Sequence, residues 1–308
     1  MKTGISKAVL IALTAYLVAG PMGPAAWGQD AVGVERLSGT LKKIKEAGAV
    51  TIGFRDASVP FSYLNVVRQP IGYSIDLCFA LVEAIKAELG LDEIAVKYLP
   101  VNPQTRIPLV ADGTVDLECG QTTNNAERRK LVSFSPIIFV SGTKLLVKRA
   151  SKLKSYRELK NRTVAVTEGT TNEAAIKSLN AKEGLKITLL PVRENDQAFQ
   201  AVETARADAW AGDDVVLYAM AAEAGNPREF SVLGEYLSYD PYGIMYRKDD
   251  PAFDALVKRT FESLAESREL ARIYEQWFLR KLPSGKTLGI AMSPQLKSIF
   301  ESMGQPTE

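Results

Sequence analysis

The groups able to do chemistry in this 308-residue chain are defined first by what is missing. There is no histidine, which excludes Ser-His-Asp and Cys-His catalysis and removes the commonest zinc ligand. Only two cysteines are present, Cys78 and Cys119, too few for a thiolate metal site. In an oxidising compartment such a pair reads first as one disulfide. Glu118, Glu168 and Asp214 are carboxylates that could serve as acid or base, but no neighbouring feature demands that role. No metal and no cofactor is expected. Arg128, within Asn124-Asn125-Ala126-Glu127-Arg128-Arg129-Lys130, reads by itself as a solvated helical charge. Asp213 reads as a helix N-cap, and so do Thr170 and Thr171 after Gly169. Arg55 next to Asp56 reads as half of a surface ion pair.

The first residues resemble an export signal. Lys2 and Lys7 precede an uncharged apolar run over residues 8–20, too short for an ordinary membrane span. Ala26-Trp27-Gly28 then offers small residues at the minus three and minus one positions of a cut before Gln29. Residues 1–28 are expected to be removed, the alternative being a retained membrane anchor. No cysteine lies near the cut, so a lipid-anchored form is not expected. Removal takes away two lysines and no acid, so the formal charge falls from +2 to zero. That balance suggests neither nucleic acid nor an anionic membrane as partner. A hydrophobic fraction of 46% with 24% charged residues is that of a folded globular protein, and the remaining length suits two modest domains.

Short β-branched runs alternate with helical patterns, which predicts βα units and largely parallel sheets. Strands are expected at residues 49–54, 94–99 and 115–119. Between them Ser74 is expected to cap a helix with an apolar stripe at Ile75, Phe79, Val82, Ile85 and Leu89. Asn102-Pro103 reads as a second helix start. A second series begins after residue 150, with strands at 163–167, 187–191 and 208–211. Helices are expected to open at Gly169-Thr170-Thr171 and at Asp213. Residues 137–148 and 243–247 read as two extended crossings between the series, and 251–278 as one long amphipathic helix. Two α/β lobes joined by two crossings enclose a cleft where ligand binding can drive hinge closure.

Taken in order, several segments carry a resemblance. They are Gly53-Phe54-Arg55-Asp56-Ala57-Ser58-Val59-Pro60-Phe61-Ser62-Tyr63, Arg106-Ile107-Pro108-Leu109, and Asp116-Leu117-Glu118-Cys119-Gly120-Gln121-Thr122-Thr123-Asn124-Asn125. Glu127-Arg128, Glu168-Gly169-Thr170-Thr171-Asn172-Glu173 and Asp213-Asp214 complete the set. The chain resembles the family 3 extracellular solute-binding proteins of amino-acid ABC transporters, and within them the glutamate/aspartate-binding branch. The resemblance implies an α/β periplasmic binding protein type II fold of two lobes. It places lobe 1 at residues 29–142 plus 245–308 and lobe 2 at 143–244, in a monomeric periplasmic protein. Cys78 and Cys119 are expected to form a disulfide between the first-lobe helix and the following strand, the alternative being two free buried thiols.

The residue roles follow from the same resemblance. Arg128 matches the arginine that forks onto a ligand's α-carboxylate, with Thr123 beside it. Gly169-Thr170-Thr171 offers helix N-terminal N–H groups from the other lobe, and Asp213 matches the acid that pairs with the α-ammonium. Arg55 and Arg106 match side-chain contacts, and a positive charge at 55 predicts an anionic ligand side chain. Pro103, Gln121 and Asn195 depart from the branch, standing where it has a serine, a serine and a histidine. These changes leave open which acid binds and whether an amide or related dicarboxylic compound competes. Phe54, Phe61 and Tyr63 either cover the ligand's carbon chain or pack in the core. The function implied is amino-acid binding, of glutamate or aspartate, and delivery to an ABC permease rather than catalysis. A dehydratase-like enzyme on the same scaffold is the alternative.

Overall fold

The computed structural model describes residues 37–307, so the expected export signal lies outside the described residues. Among these, no helix is long and apolar enough to cross a membrane. Two five-stranded sheets form the framework. Across the first, the order is Ala95–Pro100, Ala49–Phe54, Leu117–Glu118, Met245–Arg247 and Val132–Phe134. The first three strands run parallel and the last two antiparallel to their neighbours. Across the second, the order is Thr188–Val192, Thr163–Thr167, Ala209–Asp213, Thr143–Lys148 and Phe230–Val232. Here too three parallel strands are followed by antiparallel ones. The sheets are therefore mixed: Thr143–Lys148 follows the first crossing into the second sheet and Met245–Arg247 follows the return crossing into the first, and each runs antiparallel to its neighbours.

The interior strand Ala49–Phe54 is buried along almost its whole length, as expected of a strand covered on both faces. Helix Tyr73–Glu88 covers one face. Ile75, Val82, Ile85 and Leu89 are buried as the periodicity predicts, but Phe79 is exposed and Leu77, Cys78 and Leu81 take its place inward. Nor does Ser74 cap this helix. It lies inside the first turn, and Gly72 is the N-cap with φ 142°. A side chain at Gly72 would put its Cβ 2.2 Å from the Phe61 carbonyl oxygen, so only glycine fits this entry.

The long C-terminal helix is two helices, Pro251–Glu266 and Glu269–Phe278. Arg268 between them adopts a left-handed conformation, φ 61°. The break lets both apolar faces reach the first lobe's core: Phe253, Leu256, Val257 and Phe261 from one helix, Leu270, Ile273, Tyr274 and Phe278 from the other. The Asn102-Pro103 start is also displaced. Asn102 Oδ1 accepts from the N–H groups of Gln104 and Thr105 in a turn, and the helix proper is Arg106–Ala111.

The crossings are the strands Phe139–Ser141 and Asp240–Tyr242, paired antiparallel with Phe139 opposite Tyr242. The return crossing thus precedes the expected one, and Met245–Arg247 already belongs to the first sheet. Phe139 and Tyr242 anchor the ribbon in a cluster of rings. Phe139 stacks on Phe278 at 4.9 Å, and Phe61 meets Phe139 and Tyr242 edge-on at 5.1 and 5.2 Å. Phe54, Phe61 and Tyr63 therefore take the packing role. Phe54 meets Tyr98 and Tyr63 meets Trp277, each edge-on at 6.1 Å.

Cys78 and Cys119 form a disulfide with their Cα atoms 6.2 Å apart. It ties helix Tyr73–Glu88 to the residue that follows strand Leu117–Glu118. Both ends lie in the first lobe, away from the crossings. Closing a loop with a sequence separation of 41 removes unfolded-state freedom equivalent to about 4 kcal/mol. The double variant Cys78→Ser/Cys119→Ser is expected to lose about 2–4 kcal/mol in denaturant unfolding. A loss near zero would mean that the bridge does not stabilise the lobe.

Candidate functional site

Three arginines lead the residues that meet where the lobes face each other. Arg55 follows strand Ala49–Phe54 of the first sheet and is only 1% exposed. Its backbone N–H donates to Ser62 Oγ, and its Nη2 donates to Glu194 Oε2 at 2.5 Å across the cleft. Arg106 opens helix Arg106–Ala111 and is 2% exposed. Its Nη1 donates to Thr122 Oγ1 at 2.6 Å and to the Gln121 carbonyl at 3.4 Å. The Thr122 hydroxyl in turn donates to Glu118 Oε2 at 2.7 Å, so Arg106 reaches a carboxylate through a relay. Arg128 opens a short 3₁₀ turn and donates from Nη1 to the Thr123 carbonyl at 3.0 Å. Its Nη2 lies 3.5 Å from the Gly169 carbonyl of the second lobe.

The close packing of these groups is visible at Gly120. A Cβ there would fall 2.2 Å from Glu118 Oε1 and 3.1 Å from Arg55 Cγ. Both Arg55 Nε and Arg106 Nε are buried N–H groups without a hydrogen-bond partner, and the buried Gln121 Oε1 is an acceptor without one. Burial, and then the neighbouring Arg128 charge, push the Arg106 pKa down to about 9, against the pull of Glu118. Burial also lowers Arg128, which Glu118 and Asp213 partly restore. Buried guanidinium groups with open donors constitute a site that favours an anion.

The second lobe supplies the opposite wall. Thr170 is the N-cap of helix Thr171–Glu183; its hydroxyl donates to the Thr167 carbonyl and accepts from Glu173 N–H. That hydroxyl is engaged in the cap. Thr171 Oγ1 instead lies 3.3 Å from Thr123 Oγ1, joining the lobes. Asn195 accepts from Thr167 Oγ1 at 3.0 Å and donates to Ser58 Oγ at 3.4 Å, again across the lobes. Asp213 ends its strand as the N-cap position of helix Asp214–Glu223, yet its side chain caps nothing. It accepts from Asn172 Nδ2 at 2.9 Å, and Asn172 also reaches Thr143 Oγ1. Burial, followed by the charge of Asp240, pushes Asp213 up to about 7, against the Asn172 hydrogen bond.

Two residues that sequence reasoning passed over belong to this arrangement. Glu194 holds Arg55. Asp240, buried on the return crossing, accepts from Thr123 Oγ1 at 3.2 Å and from the Ser238 hydroxyl. The only signal for Glu194 was its place directly before Asn195; Asp240-Pro241 reads as an ordinary turn. Pro103 lies against the second lobe: a Cβ on Gly169 would sit 3.5 Å from its carbonyl. A cavity of about 510 Å³ opens beside Thr123, Thr171, Ser238 and Asp240. Its size suits a small ligand, but none of the three arginines lines it.

Residues 50–280 match the family of bacterial extracellular solute-binding proteins, family 3. The chain belongs to that family. This solute-binding protein is 44% identical over 270 residues to the L-glutamate/L-aspartate-binding protein of Pseudomonas aeruginosa, covering 87% of this chain and 89% of that one. It is 37% identical over 263 residues to the glutamate/aspartate import solute-binding protein of Escherichia coli, covering 85% and 87%. Among solved structures, it resembles an ancestral amino acid-binding protein that is a precursor of cyclohexadienyl dehydratase. That match has a TM-score of 0.65 and 30% identity, and covers 78% of this chain and 99% of that one.

A carboxyl raised on folding favours the fold while protonated, and that contribution is lost as pH rises from about 4 through its folded value. For Asp213 the loss runs up to about 7. Ligand-stripped protein should therefore lose stability between about pH 4 and pH 7. Asp213→Asn should remove that share of the pH slope in thermal unfolding. An unchanged slope would mean that Asp213 ionises as an ordinary carboxylate.

Proposed function

We propose that this solute-binding protein binds an acidic amino acid, glutamate or aspartate, between its lobes and delivers it to an ABC transporter permease from the periplasm. The observation that carries the reading is the pair of open donors on Arg55 and Arg106, both nearly fully buried. A buried guanidinium keeps its charge, so an open donor calls for an anion. The names of the Pseudomonas aeruginosa and Escherichia coli relatives support the same ligand class.

In this reading Arg128, Thr123 and Thr171 hold the α-carboxylate from both lobes, and Asp213 takes the α-ammonium. Arg55 and Arg106 receive the distal carboxylate, with Gln121 and Asn195 shaping the end of the pocket. An α-ammonium beside Asp213 would supply the counter-charge that its buried position lacks. The export signal is residues 1–28, the first lobe is 29–142 with 245–308, and the second is 143–244. The protein works as a monomer and without catalysis.

An enzyme on the same scaffold is the second reading. Glu118 Oε1 is buried without a partner, a geometry open to proton transfer, and one structural relative is a dehydratase precursor. Recovery of unaltered ligand after prolonged incubation separates the two.

Calorimetric titration of ligand-stripped protein against glutamate, aspartate, glutamine, asparagine and arginine tests the binding reading. Tight binding of either acid is expected. Arg106→Ala should weaken it by roughly 2–5 kcal/mol, at least about thirtyfold. Binding of arginine alone, or of none of the five, would overturn the assignment.

A further inference from the structure

Glu194 stands at the N-cap position of helix Asn195–Glu203 but makes no side-chain cap. An acid there ordinarily folds back onto the helix's free N–H groups. Instead its carboxylate reaches across the cleft to Arg55 Nη2 at 2.5 Å. Among the described residues, this is the one ion pair that joins the two lobes. The side chain of Arg55 is 1% exposed and that of Glu194 is 21% exposed, so the pair sits at the inner edge of the cleft. Burial raises the Glu194 carboxyl above its ordinary value even though Arg55 pulls the other way. Asn195, the next residue, bonds Ser58 of the first lobe, which holds the start of this helix against the strand end that carries Arg55.

The consequence is one of charge. Arg55 and Arg106 together would present two positive charges to a ligand side chain. Glu118 already offsets one of these charges through Thr122, and with Glu194 on Arg55 the two arginines and the two carboxylates carry no net charge. Glu194 also places a carboxylate of the protein beside the place where a distal carboxylate would sit. An acid ligand then gains from the open Nε groups of Arg55 and Arg106 but is repelled by Glu194. An amide of the same length suffers no such repulsion, and its NH₂ can donate to Glu194.

We propose that Glu194 is a specificity-determining residue, which narrows the preference for acids over their amides by occupying Arg55. The proposal rests on the ligand assignment above, because it concerns the same pocket. It differs from a purely mechanical role, in which the ion pair would only help the lobes close and would act on every ligand alike.

The test is the ratio of glutamate to glutamine affinity, measured by calorimetry on ligand-stripped wild type, Glu194→Gln and Glu194→Ala. Each neutral variant should raise the ratio roughly tenfold, the worth of one charge-assisted contact. Equal weakening of both ligands, with the ratio unchanged, would overturn the proposal and leave Glu194 as a latch. A fall in the ratio would overturn it too. Wild type that binds neither ligand would bring down the assignment of the pocket itself, and this proposal with it. Two variants of different shape guard against a local packing effect, and the ratio is indifferent to a general loss of active protein.

Discussion

A guanidinium cannot shed its charge on burial as a carboxyl or an amine can, and this cleft buries three of them. Each must therefore meet an anion, a carbonyl or a ligand where the lobes face each other. Arg55 meets Glu194 directly, Arg106 meets Glu118 through Thr122, and Arg128 meets two backbone carbonyls, one from each lobe. Much of the local backbone serves this arrangement. The strand ends after Phe54 and at Glu118 set Arg55 and the Glu118 relay side by side, and Gly120 lets the chain pass between them. The helix beginning at Arg106 lies close enough for its first residue to reach Thr122.

The same demand couples charge to conformation. The polar partners that satisfy the first lobe's residues lie partly in the second: Glu194 for Arg55, Gly169 for Arg128, Thr171 for Thr123 and Asn195 for Ser58. Separation of the lobes would expose these groups to water, and their approach removes it. The ribbon of Phe139–Ser141 and Asp240–Tyr242 is the connection about which such motion can occur. Its aromatic residues are packed into the first lobe, while Ser141 bonds Asp214 at the head of a second-lobe helix. The disulfide lies wholly on one side of this ribbon, so it stiffens a lobe without linking the two.

The framework was legible because it depends on short-range patterns. Strands near residues 49–54 and 163–167, the helix opening after Thr170, and the two α/β series follow from β-branched runs and capping residues. The errors have local causes. Phe79 fits the helical stripe, but the real face is set by Leu77, Cys78 and Leu81 against the sheet. Arg268 is no breaker by type, and its left-handed turn exists because two apolar faces must both reach one core. Asp240-Pro241 has a turn's composition, whereas pairing with Phe139–Ser141 makes it the strand of the return crossing.

By its residue types alone, the sequence determined that histidine chemistry is impossible, that two cysteines can close one bridge, and that βα units build two lobes. In their order and spacing, its motifs also carried the family. Tertiary structure decided which charges face which. Arg55 and Glu194 are 139 positions apart, and Thr123 and Asp240 are 117 apart. Each of these side chains taken singly has the composition of a solvated surface group. Only the approach of the two lobes removes the water that would make such pairs indifferent, and that approach is a property of the packed core and the crossing ribbon rather than of any local segment.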